Sequence, residues 1–161
     1  MRYTIGKIFY DYTNSLKCIF YDPYAIEYYS FLRECRKREL HQIIITSEIM
    51  IEIIKNAYYL KKCKAYKIEL MEEDCDAELQ INALIKSIDT NPYQFAELLD
   101  FLNLIAEKSS VEIKKIYLKS FDKDKQDMFF IQSNGLIGIN GESYENISNE
   151  TLQIIKRCLF E

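Results

Sequence analysis

The sequence predicts an α/β or α+β domain with a mixed sheet, and three observations support this fold class. Short runs rich in Ile, Tyr and Phe alternate with longer stretches whose apolar residues recur at helical spacing. Asn134-Gly135 between two apolar runs is a two-residue hairpin signal. The 161 residues are enough to form one core, and they contain no linker-like stretch that would divide them. We therefore expect a single domain over residues 1–161, with an N-terminal β-hairpin, about five helices and a C-terminal antiparallel β-meander.

The N-terminal third is predicted to form the hairpin and then a helix. Residues 2–12 indicate a strand with a bulge at Gly6, and Lys17–Tyr21 indicates its partner. Asp22-Pro23 is typical of a helix start, because Asp caps the first turn and Pro suits its first position. This helix is expected to end near Glu39. Its apolar stripe consists of Tyr28, Phe31, Leu32 and Cys35.

The middle of the chain indicates a strand, a helix and another strand. Gln42–Thr46 is a β-branched run typical of a buried strand, and Thr46 or Ser47 is expected to cap the next helix. Residues 64–71 alternate like a half-exposed strand. The alternation places Tyr66, Ile68 and Leu70 on one side, with Lys67 and Glu69 on the other.

The remaining elements follow from caps and turns. Asp74 or Asp76 is expected to start a third helix, and Asn91 a fourth that packs antiparallel to the third. Strands are predicted at 112–119, 128–131 and 136–139, with a turn at 122–124 after the first of them. Ser148 or Asn149 is expected to cap the last helix.

Charge is divided unevenly along the chain. Residues 1–67 contain 12 basic and 7 acidic side chains, whereas residues 68–161 contain 9 and 18. Such a division favours faces of opposite potential on the folded protein. The acidic half opens with a cluster that we predict as a partner-binding patch. Its members are Glu69, Glu72, Glu73, Asp74 and Asp76.

The residues that usually carry catalysis or bind metals are sparse. His41 is the only histidine and no nucleophile motif accompanies it. The five cysteines lack the spacing of a zinc site, and no phosphate-binding glycine motif occurs. The sequence therefore predicts no catalytic residue, no metal and no cofactor, and it favours a binding protein over an enzyme.

One short motif keeps an enzymatic alternative open. Glu112-Ile113-Lys114 on a predicted strand resembles the E-x-K element of metal-dependent restriction-type nucleases. The resemblance implies a Mg²⁺ site completed by an upstream acid on a neighbouring strand. The nearest candidate, Asp100, falls on a predicted helix.

Thirteen tyrosines and no tryptophan also favour an interface. Tyrosine buries a large area at low entropic cost when it lies in an interface. Tyr24 and Tyr29 do not fit the apolar stripe of their predicted helix, and Tyr59 lies at the edge of its own. These three are the tyrosines that we expect to contact a partner.

The sequence therefore predicts a small acidic protein that acts by binding another macromolecule. Ile (24 against one Val) and Lys (16 against five Arg) indicate an AT-rich genome, such as that of a bacterium or phage. We expect a cytosolic inhibitor, either an immunity protein against a toxin or a phage anti-defence protein, whose partner is a basic nuclease or nucleic-acid-binding protein. The alternative is a nucleic-acid-binding or nuclease-like protein whose basic residues 33–38 and 61–67 converge. No membrane segment is predicted.

Overall fold

The computed structural model describes residues 3–108, 111–122, 128–140 and 144–160. Within these ranges the chain forms seven strands and five helices, which confirms the α+β class. In chain order, the elements are β1 (Thr4–Tyr10), β2 (Leu16–Tyr21), α1 (Tyr28–Lys37), β3 (His41–Gln42), α2 (Ser47–Lys61), β4 (Cys63–Leu70), α3 (Cys75–Ile88), α4 (Gln94–Lys108), β5 (Ile113–Ser120), β6 (Met128–Gln132), β7 (Leu136–Asn140) and α5 (Tyr144–Phe160).

The strands form one sheet in the order β2-β1-β7-β6-β5-β4, with β3 paired to the end of β1. The N-terminal hairpin and the C-terminal meander are confirmed. Each pairing between the described strands is antiparallel, so the predicted mixture of parallel and antiparallel pairs is wrong. Between β4 and β5 the chain passes through two helices, α3 and α4, which pack on each other. A pair of helices returns the chain to the end of the sheet that it left, which makes β5 antiparallel to β4.

Two predicted helix caps are confirmed. The Thr46 hydroxyl accepts a hydrogen bond from Ile49 N at 3.3 Å at the start of α2, and the Asp74 carboxylate accepts one from Ala77 N at 3.0 Å at the start of α3. Each side chain satisfies a backbone donor that the first helical turn leaves without a partner.

Two other helix starts differ from the prediction. Asp22 closes a turn instead, since its carboxylate accepts from Tyr24 N at 3.0 Å, and α1 begins six residues later, at Tyr28. Helix α5 begins at Tyr144, so Ser148 lies inside it. The Ser148 hydroxyl donates to the Glu145 carbonyl one turn earlier, which satisfies this buried side chain within the helix.

The predicted buried strand at 42–46 is also wrong. Only His41–Gln42 pairs with β1, and both residues are exposed. The segment beyond them is extended, with Ile43 and Ile45 buried and Ile44 75% exposed. The first half of β1 already pairs with β7 at Thr4–Lys7, which leaves only the end of β1 for β3.

The turn between β6 and β7 has three residues, not two. Gly135 N donates to the Gln132 carbonyl at 2.9 Å, and Gly135 itself has φ +87°. This is a turn followed by a left-handed residue, a common three-residue hairpin connection. At the other predicted irregularity, Gly6 pairs with Phe20 in regular register, so no bulge forms there. Residues 123 and 124 of the predicted turn at 122–124 lie outside the described residues.

Apolar side chains pack on both faces of the sheet. The larger cluster lies between one face and helices α2, α3, α4 and α5, with Ile8, Met50, Leu102 and Ile116 fully buried. The smaller cluster lies on the other face, where Phe31 and Cys35 of α1 cover Phe9 and Tyr21 of β1 and β2. Helix α1 thus covers only the β2–β1 end of this second face.

Candidate functional site

The rest of the second face forms the most distinctive surface of the described residues. We call it the open face and define it by residues that share this side of β4, β5 and β6, together with Tyr3 beside β1. They are Tyr3, Tyr66, Lys67, Glu69, Lys115, Tyr117, Lys119 and Phe130. The strand registers place Lys67 opposite Tyr117, and Tyr117 opposite Phe130. Residues opposite each other in antiparallel strands point to the same face.

Four aromatic rings form a continuous row across the open face. The centroids of Tyr66 and Tyr117 are 5.9 Å apart, those of Tyr117 and Phe130 6.1 Å, and those of Phe130 and Tyr3 5.1 Å. These distances are typical of interacting aromatic side chains. The row thus connects β4 to the start of β1.

The row can cross β7 because that strand has a glycine at this position. Gly138 lies opposite Phe130 in β6 and Ile5 in β1. A Cβ atom at Gly138 would overlap the Phe130 ring. The missing side chain therefore lets Phe130 lie over β7 and contact Tyr3 on the far side.

Three lysines place their ammonium groups over these rings. Lys115 Nζ is 4.0 Å from the Phe130 centroid and 4.8 Å from that of Tyr117. Lys67 Nζ is 5.3 Å from the Tyr117 centroid, and Lys119 Nζ is 5.3 Å from that of Tyr66. These distances are within the range of cation–π attraction. Against the three lysines stands one carboxylate, Glu69, so the open face is positive in a chain whose net charge is −4.

Two hydroxyl groups of the row are held in place. Tyr117 donates a hydrogen bond to Glu69 Oε1 at 3.0 Å, and the Tyr66 side chain interacts with that of Tyr3. Burial raises the pKa of Tyr66 and of Tyr117 above the ordinary value for tyrosine. Both hydroxyl groups are therefore protonated at physiological pH, so neither ring has a charge that would repel a phosphate.

A groove continues the open face beyond Tyr3. It has a volume of about 360 Å³ and lies between the ends of β1 and β2 and the turn after β2. Phe20 and Tyr24 line it and are 60% and 89% exposed. Phe20 pairs with Gly6 and points to the other face of the sheet. An extended ligand that follows the aromatic row would therefore reach the Tyr24 ring next.

The structure separates the predicted acidic residues. Glu69 belongs to the open face, and Asp74 caps α3 on the opposite side of the sheet. Glu72, Glu73 and Asp76 are exposed around the connection from β4 to α3. The exposed apolar side chains of Met71 and Leu79 flank these three acids.

The predicted interface tyrosines are also dispersed. Tyr24 lines the groove, and Tyr29 on α1 is 72% exposed and stacks on Tyr28 with their centroids 6.1 Å apart. Tyr59 lies on α2, on the other side of the sheet, where its ring meets the edge of Phe95 at 5.3 Å. Tyr24 is the only one of the three that adjoins the aromatic row among the described residues.

The predicted basic segments converge only in part. Lys67 is on the open face, and α1, with exposed Arg33 and Arg36, packs on the same side of the sheet. Lys61 instead forms an ion pair with Glu150 at 3.1 Å, and Lys64 forms one with Asp89. The first pair joins α2 to α5, and the second joins β4 to the end of α3.

Sequence reasoning missed most of the open face. The alternation of Lys115, Tyr117 and Lys119 along one strand was the available signal. The prediction for Tyr66 is wrong, because a register shift between Ala65 and Lys67 turns Tyr66 to the open face and leaves Ala65 in the core.

The described residues contain no group of three or more side chains able to hold a metal ion. Asp100, the acid considered for the E-x-K motif, lies on α4 and not on a strand next to Glu112. His41 is exposed and stacks on Tyr10 with their centroids 5.2 Å apart. No disulfide joins the five cysteines.

Within the part of the chain that the structure describes, no helix is long and apolar enough to cross a membrane. No family model, no curated protein and no solved structure matches this chain.

Proposed function

We propose that this protein binds single-stranded nucleic acid on the open face. The observation that carries the proposal is the row of four aromatic rings with three lysine ammonium groups above it. Aromatic rings on an exposed sheet stack unpaired bases, and neighbouring lysines neutralise the phosphates between them.

Shape favours a single strand over a duplex. The rings lie on a sheet, and a sheet face of this kind cannot enter the major groove as a helix or a two-stranded ribbon does. Unpaired bases, in contrast, can each place a ring face on the row. Phe130 is only 8% exposed, so the partly exposed rings of Tyr3, Tyr66 and Tyr117 are the ones that suit stacked bases, with the groove at Tyr24 for the next nucleotide.

The charges set an expected salt dependence. Three lysines that each displace a counterion from a single strand give a slope of about −2 for the logarithm of the binding constant against the logarithm of salt concentration. The overall negative charge opposes long-range attraction, so we expect binding to be strongest at low ionic strength.

The test is fluorescence anisotropy with a labelled single-stranded oligonucleotide of mixed sequence and the double variant Lys115→Gln with Lys119→Gln. We expect the variant to bind at least tenfold more weakly at low salt. Its salt dependence should also be shallower, with a slope of about −0.7 in place of about −2. The matched control changes Lys55 and Lys86, exposed lysines on α2 and α3, to Gln. Equal losses in both double variants would show that charge acts without a site and would contradict the proposal.

A second candidate function is inhibition of a basic protein partner through Glu72, Glu73 and Asp76. The supporting observation is that exposed Met71 and Leu79, 46% and 69% accessible, flank these acids. Acidic side chains between two apolar anchors suit a positively charged partner surface. Affinity purification with the wild-type protein identifies the partner, and changing the three acids to Lys should abolish its capture. Asp74 stays unchanged in this test because it caps α3.

A further inference from the structure

The one carboxylate of the open face lies among the lysines. Glu69 lies directly opposite Lys115 in the β4–β5 ladder, and its side chain is 31% exposed. Its Oε1 atom accepts the Tyr117 hydrogen bond at 3.0 Å and lies 3.4 Å from Lys67 Nζ. Both of these contacts are made by Oε1 and not by Oε2.

A carboxylate at this place repels phosphate, so it can contribute to binding only by a contact with a nucleobase. Ionised carboxylates only accept hydrogen bonds, and their two oxygens suit a ligand with two adjacent donors. Guanine presents such a pair on its pairing edge, the N1–H and the N2 amino group. Adenine, cytosine and uracil each combine one donor group with acceptors on the same edge.

The Tyr117 hydrogen bond fixes where the carboxylate lies relative to the stacking platform. A phenolic hydroxyl extends from the edge of its ring, so the Glu69 carboxylate lies beside the Tyr117 ring and not over its face. A base stacked on Tyr117 would therefore have an edge, and not a ring face, next to the carboxylate. A base that stacks on Tyr117 displaces one of the ammonium groups over its ring, Lys115 at 4.8 Å or Lys67 at 5.3 Å, and the carboxylate then reads the edge of the base.

We infer that Glu69 makes the open face selective for guanine among unpaired bases. The inference rests on the proposed binding function and adds its base preference. A bidentate contact between a side chain and a base discriminates by about five- to hundredfold against the wrong base. The lysines and rings themselves do not distinguish bases, because every nucleotide has a phosphate and a ring face.

The test compares four labelled oligouridines that differ only at three central positions, which hold G, A, C or U. We expect the wild-type protein to bind the guanine oligonucleotide at least fivefold more tightly than the other three. In Glu69→Gln, which keeps an oxygen to accept from Tyr117, this preference should disappear. Affinity for the adenine, cytosine and uracil oligonucleotides should stay equal or increase, because a repulsive charge is removed. Glu72→Gln is the control for a general charge effect and should keep the preference.

Two results would overturn this inference and leave the binding function intact. One is equal, tight binding of all four oligonucleotides to the wild-type protein. The other is an unchanged guanine preference in Glu69→Gln. Failure of the wild-type protein to bind any of the four would overturn the binding function itself, and the base preference with it.

Discussion

The second face of the sheet contains aromatic residues and lysines in both of its halves, but the halves are completed in different ways. Under α1, the rings of Phe9, Tyr21 and Phe31 pack into a closed cluster with centroid distances of 4.6 and 6.1 Å from Phe31. On the open face no described helix covers the rings. There, lysine side chains lie over the rings in place of a helix.

Lysine shows the difference most clearly. Lys7 in the covered half is fully buried and donates to the Asn134 carbonyl, and burial lowers its pKa to about 8. Lys115 on the open face is only partly buried, with its ammonium group over Phe130. The comparison indicates that the covered half stabilises the fold, whereas the open half keeps cations where an anionic ligand can reach them.

The largest expected effect breaks the covered half. Phe31→Ala removes a ring that is 6% exposed, and we expect a loss of about 3–5 kcal/mol in the free energy of unfolding. Urea denaturation followed by circular dichroism measures it. Tyr29→Ala on the same helix removes a ring that is 72% exposed and should change stability by less than about 0.5 kcal/mol. Similar losses in the two variants would show that α1 does not cover a core.

The next effect concerns the crossing of β7. Gly138→Ala places a Cβ atom against the Phe130 ring, and we expect a loss of about 1–3 kcal/mol in stability. Because Phe130 must move from the row, oligonucleotide affinity should also fall severalfold. Gly135→Ala strains a residue with φ +87° outside the row and should reduce stability alone. Full affinity in Gly138→Ala would mean that the row does not need Phe130 in this position.

The parts that sequence reasoning predicted correctly depend on neighbouring residues. Thr46 and Asp74 were each predicted as one of two candidate caps, because a cap involves only the next three residues. Asp22-Pro23 shows the limit of such rules, since the same residue types also close a turn. The open face depends on strand neighbours distant in the chain, Lys67 with Tyr117 and Gly138 with Ile5. No local pattern specifies these pairs.

Lys7 gives the covered half a dependence on pH. Its pKa falls from 10.5 in the unfolded chain to about 8 in the folded protein, so the unfolded chain binds more protons between these values. The contribution of Lys7 to the free energy of unfolding therefore increases as the pH rises between about 8 and 10.5. Relative to Lys7→Met, the wild-type protein should gain about 2 kcal/mol between about pH 7.5 and pH 9.5. Thermal denaturation of both proteins across this range measures the difference, and a constant difference would mean that Lys7 is solvated.

The smallest expected effect separates the ring of Tyr117 from its hydroxyl group. Tyr117→Phe loses the hydrogen bond to Glu69, which should cost about 1 kcal/mol of stability. Since the ring remains, affinity for a mixed-sequence oligonucleotide should stay within about twofold. Tyr117→Ala removes the stacking platform as well, and affinity should fall by about tenfold, in line with the cost of losing one stacked base. If both variants lost affinity equally, the hydroxyl group and not the ring face would contact the ligand, and stacking on the open face would be the wrong description of binding.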